Sequence, residues 1–205
     1  INAVNFYKDF NQYKNLLGDK LVFAPIYKYH NYPLFDAGND LSDDKTNTPC
    51  FEKRNIKYCS NVNKDLNINN PRKVLQENLR QTCIFIKFKS EYWKYMLKFL
   101  DNCMNLKDPD FDKACAENTM KEIGLLKPDI EIINGCMQDL VDRTSKVDED
   151  YELYNYRKVY QTPMITVNGM QYTGKWLSKN IFDFICNSFI DDNEICYSPK
   201  SEKLK

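Results

Sequence analysis

The apolar positions of residues 4–17 (VNFYKDFNQYKNLL) recur at helical spacing: Phe6, Phe10, Tyr13 and Leu17 share one face, and Gly18 is placed to cap the end. Residues 21–30 (LVFAPIYKYH) are rich in β-branched and aromatic side chains and read as a strand, with Pro25 at its start or at a bulge. Residues 31–49 are polar and turn-rich, and Cys50 to Cys59 encloses a short loop. After an Asn-rich connection over 64–71, residues 72–80 (RKVLQENLR) read as a helix and 83–88 (CIFIKF) as a central strand. Helical spacing then takes over. Residues 91–106 carry Tyr92, Tyr95, Met96, Phe99 and Leu100; Asp110 can N-cap a helix reaching Gly124, and Pro128 can open another over 130–140. Residues 148–159 (DEDYELYNYRKV) give a fourth, tyrosine-rich helix.

The densest pattern lies at 161–189. Thr162-Pro163 leads into an apolar strand, Met164–Val167, then Asn168-Gly169 and a second short strand, Met170–Thr173. Asn-Gly between two such runs signals a hairpin, because both turn positions need positive φ. Beyond Gly174, Leu177, Ile181, Phe184 and Ile185 return to helical spacing. The order is thus helix, strand, loop, helix, strand, helical insert, helix, proline-led hairpin, helix. That is the order of an α/β, thioredoxin-like sheet with a helical insertion, over about residues 90–145, between its two halves. The bacterial disulfide oxidases are built in this way. It predicts a single domain over 1–205, with a tail from about 199 to 205. It also predicts a cis Thr162-Pro163 bond facing the position of a redox site, against the general preference for trans.

Eight cysteines change the picture most: Cys50, Cys59, Cys83, Cys103, Cys115, Cys136, Cys186 and Cys196. No two stand three apart, so neither a CxxC zinc knuckle nor a CxxC redox site is present, and with His30 the only histidine no metal site is expected. An even count without those motifs points to structural disulfides in an oxidising compartment. Eight cysteines allow about a hundred pairings; proximity favours Cys50–Cys59, Cys103–Cys115 and Cys186–Cys196, leaving Cys83 with Cys136. Lys+Arg and Asp+Glu both number 29, which argues against nucleic acid or an anionic membrane as the main partner. No window approaches the roughly 20 apolar residues of a transmembrane helix. The start at Ile1 suggests a processed chain or part of a longer one.

In an active thioredoxin-type fold the first strand delivers a nucleophilic thiolate to a helix N-terminus. Here the run 21–30 is followed by Asn31, Tyr32 and Pro33, with no cysteine, so the exchange chemistry lacks its nucleophile and no enzymatic activity or cofactor is expected. His30 has no evident nucleophile to serve. Asp40, Asp43 and Asp44 lack the glycine and glutamate of a Ca²⁺ loop, and with Asp191/Asp192 they read as solvated charge. Tyr27, Tyr29, His30, Tyr32 and Phe35 crowd the strand end, either as core or as a recognition surface. The candidate binding groove is His30, Asn31 and Tyr32 facing Thr162 and Pro163, where an extended peptide could add as a strand.

The run VLQENLRQTCIFIKF (74–88) resembles the QNLRQAC signature of the luminal segment of plant vacuolar sorting receptors. The run TPMITVNGMQYTGKWLSKNIFDFICNSFIDDNEIC (162–196) is similar to a second segment of that family. Cys103, Cys115-Ala116, Ile123-Gly124 and Cys136 fall where the family has comparable features, and FYKDFNQYKNLL followed by FAPIYKYHNYP resembles its first helix and strand. The likeness covers about residues 6–198. It implies a degenerate thioredoxin-like module of the secretory lumen. In that family the module lies between a protease-associated domain and EGF-like repeats of a type I membrane receptor that carries soluble hydrolases to vacuoles. The departures are His30-Asn31-Tyr32-Pro33 where the family has Trp-Tyr-Cys-Pro, and fewer cysteines after it.

These readings converge on a non-catalytic luminal or cell-surface binding module that contributes to recognition of protein or peptide cargo, with flanking domains possible elsewhere in a longer chain. A redox-dead structural subunit contacting neighbours in a larger assembly is the alternative. An active disulfide oxidoreductase stands behind both. The Cys186-x9-Cys196 spacing gives the mitochondrial intermembrane space as a weaker alternative location.

Overall fold

The computed structural model describes residues 3–30, 50–60, 71–104, 111–143, 146–157, 163–190 and 194–197. The chain divides into two compact units: Ala24–Lys158, and a smaller one made of Ile1–Phe23 with Val159–Lys205. It is mixed α/β, mostly helical, with two small antiparallel sheets and four disulfides.

The larger unit is built on helix α2 (Pro71–Lys87), which packs against α3 (Lys89–Asn102) and α5 (Lys127–Asp142). Helix α4 (Lys113–Glu122) packs on α3, and α6 (Lys146–Tyr156) on α5. The core follows from spacing. Leu75, Leu79 and Cys83 stand one turn apart on α2, and all are buried. They meet Tyr95, Met96 and Phe99 of α3 and Ile133, Met137 and Leu140 of α5 in one apolar interior. Cys83–Cys136 ties α2 to α5, and Cys103–Cys115 ties the end of α3 to α4. Asp112, rather than Asp110, caps α4 by accepting from the Ala114 N–H at 3.1 Å; Asp110 lies outside the described residues. Leu126 precedes α5 and donates its N–H to Asp129 at 2.8 Å, with Pro128 in the first turn.

Three expectations change here. The run CIFIKF is not a strand but the last part of α2. Cys83 and Ile84 extend the buried rows Leu75–Leu79 and Gln76–Arg80, while Ile86 and Lys87 face solvent. A six-residue apolar run fits a helix as well as a strand, and the rows before it decide. Residues 21–29 form no regular strand; only His30 pairs, exchanging two backbone hydrogen bonds with Cys59 at 2.9 and 2.8 Å. The supposed loop between Cys50 and Cys59 is a hairpin of β1 (Cys50–Lys53) and β2 (Ile56–Cys59), joined by Arg54 and Asn55 at φ 51° and 64°. Its disulfide bridges directly opposed residues 4.0 Å apart at Cα. Cys59 turns its own N–H and C=O outward to His30, so this is the close, non-hydrogen-bonded kind of pair.

In the smaller unit, α1 (Ala3–Leu17) packs against α7 (Ser178–Cys186). Phe10, Tyr13 and Leu17 are buried, as are Ile181, Phe182 and Ile185, and the Tyr13 and Phe182 rings lie 4.8 Å apart. Between the helices in sequence sits the hairpin β3 (Thr166–Val167) and β4 (Met170–Gln171), shorter than the pattern suggested. Asn168 and Gly169 take φ 50° and 84°, the left-handed pair that a two-residue turn requires. Tyr172 is buried behind the hairpin, 5.3 Å from the Phe184 ring, and donates its hydroxyl to the Lys175 carbonyl at 2.6 Å. Cys186–Cys196 closes the C-terminal side. Three disulfides thus lie within the larger unit and one within the smaller, and none joins the two.

Candidate functional site

His30 sits beside β2 as a third rung of the β1–β2 sheet, fixed by its two backbone bonds to Cys59. Its ring is half-buried, edge-on to Tyr154 of α6 at 6.3 Å, and the Lys28 ammonium lies 4.5 Å from the same Tyr154 ring centroid. Burial, and then the Lys28 charge, lowers the His30 pKa, which keeps the imidazole neutral at neutral pH. Pro163 is exposed and immediately precedes Met164 in the smaller unit. Asn31, Tyr32 and Thr162, and with Thr162 the expected cis bond, lie outside the described residues. Of the candidate groove residues that are described, His30 belongs to the larger unit and Pro163 to the smaller.

The tyrosines expected at the groove's mouth are structural where they are described. Tyr29 is buried, and burial drives its phenol pKa upward. The Tyr27 hydroxyl donates to Gln81 Oε1 at 2.7 Å and lies 2.9 Å from the Tyr92 hydroxyl. Its backbone N–H reaches Asp150 at 3.5 Å. Tyr32 and Phe35 lie outside the described residues.

Gln81 opens onto a cluster that the sequence reading missed. Glu77 accepts from Gln81 Nε2 at 2.8 Å and from the Tyr95 hydroxyl at 2.9 Å, and pairs with the Arg80 guanidinium. Glu77, Arg80 and Tyr95 are all essentially inaccessible to solvent. Burial pushes the Glu77 carboxyl up, with the Arg80 charge and these donors pulling against it. The available signal was position: Gln76, Glu77, Arg80 and Gln81 fall on the buried side of α2. The cluster joins α2, α3 and the segment before His30, so it holds that segment in place of a strand ladder.

A second polar cluster fixes the hairpin. Lys53 is buried and reaches Asp148 at 2.9 Å, and the Tyr58 hydroxyl donates to the same carboxylate. Burial would raise Asp148, but the Lys53 and Tyr58 bonds outweigh it and the net shift is downward. The buried Arg72 guanidinium donates to the Cys50 carbonyl. Beside the hairpin tip, Glu52, Lys53, Arg54, Asn55, Val141 and Asp142 line an open pocket of about 360 Å³. Its charges are of both signs, so it favours neither anions nor cations.

All eight cysteines are bonded in four pairs, Cys50–Cys59, Cys83–Cys136, Cys103–Cys115 and Cys186–Cys196, and none is free. Among the described residues no cluster of three or more His, Cys, Asp or Glu could hold a metal ion, and no helix is long and apolar enough to cross a membrane. Against known families, a model described as the vacuolar sorting receptor thioredoxin-like domain matches residues 2–186. No curated protein matches the chain.

Proposed function

Because the chain belongs to the vacuolar sorting receptor thioredoxin-like domain family, we propose that this sorting-receptor-like module is non-catalytic and contributes to recognition of protein or peptide cargo. One observation carries the non-catalytic half: every cysteine is committed to a disulfide and none is free. Thiol–disulfide exchange starts from a thiolate, and the folded oxidised chain has none to offer. The four disulfides and the family fit an oxidising secretory-pathway lumen. In this reading the chain works as one thioredoxin-like domain with its helical insertion at about 90–145. His30, Asn31, Tyr32, Thr162 and Pro163 are the residues we propose for binding the peptide. The bridge at His30 supports it, since that residue already continues a sheet by backbone pairing, the manner in which an extended peptide would add.

The test uses oxidised protein and peptides selected from a displayed random library. Tyr32→Ala and Pro163→Ala should each weaken a selected peptide by ~10-fold or more in calorimetric titration, about 1.4 kcal/mol. Unchanged affinity in both variants would remove the groove. Reduction of insulin by the wild-type protein at a thioredoxin-like rate would remove the non-catalytic reading.

A further inference from the structure

The chain holds two described Asn-Gly pairs in opposite backbone settings. Asn134-Gly135 lies inside α5, where the helix ladder directs the Gly135 N–H to the Glu131 carbonyl. Asn168-Gly169 forms the turn between β3 and β4, with both residues exposed and at positive φ. The register pairs Val167 with Met170, so the ladder bonds close between those flanking residues and the Gly169 N–H stands outside them. Beyond its two chain neighbours, nothing lies within 4 Å of the place a Cβ on Gly169 would occupy, so no packed side chain hems in the turn. The Asn168 side chain is held by its amide nitrogen, which donates to the Ser188 carbonyl at 3.3 Å.

We propose that Asn168 is a spontaneous modification site, losing its side-chain amide by attack of the Gly169 backbone nitrogen, while Asn134 is protected by its helix. Gly169 N gives its proton to solvent and bonds to Asn168 Cγ. The bond from Cγ to the side-chain nitrogen breaks, and the nitrogen leaves as ammonia, taking a proton from water. Water then opens the cyclic imide at one carbonyl or the other, giving aspartate or isoaspartate. The only co-reactant is water.

Either product changes the hairpin. A carboxylate replaces the donor that met the Ser188 carbonyl, placing negative charge against a carbonyl oxygen at the end of α7. The isoaspartyl form also adds the side-chain methylene to the main chain, and a two-residue turn so lengthened cannot keep Val167 opposite Met170. The strand that follows Pro163 therefore ages chemically at its turn. This site goes beyond the binding role proposed above and does not depend on it.

The test incubates folded, oxidised protein in mildly alkaline buffer, beside a sample held unfolded in denaturant. Peptide mapping by mass spectrometry with enzymatic methylation of isoaspartate reads the rate at each asparagine. In the folded protein Asn168 should convert at least ~10-fold faster than Asn134, which corresponds to about 1.4 kcal/mol of local opening at α5. In denaturant the two rates should converge. The proposal is overturned by an intact Asn168, by an Asn168 rate no faster than that of Asn134, or by a preference that persists unchanged in denaturant and so belongs to neighbouring sequence rather than to fold.

Discussion

Replacing Glu77 with glutamine isolates the electrostatics of the buried cluster. The amide keeps the volume and still accepts from Tyr95 and Gln81, but Arg80, 2% exposed, loses the carboxylate it pairs with. Removing one partner of a buried pair leaves an uncompensated charge and costs about 3–5 kcal/mol. Domains are stable by only about 5–15 kcal/mol, so Glu77→Gln should cost about a fifth of the total or more. The assay is urea unfolding with disulfides intact, followed by tryptophan fluorescence. Trp93 is buried in α3 of the larger unit and Trp176 belongs to the smaller, so a Trp176→Phe background makes the signal local. The double variant Glu77→Gln with Arg80→Met removes both charges and should recover to within about 1 kcal/mol of wild type, since paired removal is near neutral. A single-variant loss below about 1 kcal/mol, or a double variant as unstable as the single, would refute the reasoning.

Other outcomes follow from the same geometry. Removing Cys83–Cys136, with separation 53, should cost about 4 kcal/mol, and removing Cys103–Cys115, with separation 12, about 3 kcal/mol; paired Cys→Ala variants in thermal and urea unfolding check the order. Asp148 has its pKa lowered in the folded state, so its contribution is present above the ordinary aspartate value of 3.8 and is lost as pH falls from there through the folded pKa. Asp148→Asn should flatten that acid-side fall in a pH series of unfolding midpoints, while costing about 1–3 kcal/mol at neutral pH by leaving buried Lys53 without its carboxylate. Gly174→Ala would put a Cβ 2.5 Å from the Tyr172 hydroxyl and 2.7 Å from its ring carbon Cζ. The buried ring must shift and give up the Lys175 carbonyl, so about 1–3 kcal/mol of destabilisation is expected. Nuclear Overhauser spectra of the aromatic side chains should then show the Tyr172 ring moved away from Phe184.

The legible parts of the sequence are those in which local chemistry and burial agree. Phe10, Tyr13 and Leu17 mark the inner face of α1, and Asn168-Gly169 marks its turn because few other residue pairs tolerate two positive φ angles. CIFIKF misled because a short apolar run carries no period of its own; the longer row from Leu75 to Cys83 outweighs it. The β1–β2 turn was hidden because Arg54 and Asn55 occupy positions where glycine would have been the signal. Glu77 and Arg80 read as surface charge in isolation, since only the packing of α3 over α2 turns them inward. Within the candidate groove, only His30 and Pro163 are described. Its pairing of two distant stretches rests on element order, and no local pattern encodes it.

The confinement of each disulfide to one unit bears on how the chain matures as it is made. The larger unit is continuous in sequence, and its last cysteine is Cys136, so all three of its crosslinks can close before residues 159–205 are synthesised. The smaller unit has the opposite timing. Helix α1 is translated ahead of the larger unit, yet the face it buries belongs to α7, more than a hundred and fifty residues later. Phe10, Tyr13 and Leu17 therefore emerge well before the α7 face that covers them, and through that interval they are apolar surface open to misassociation.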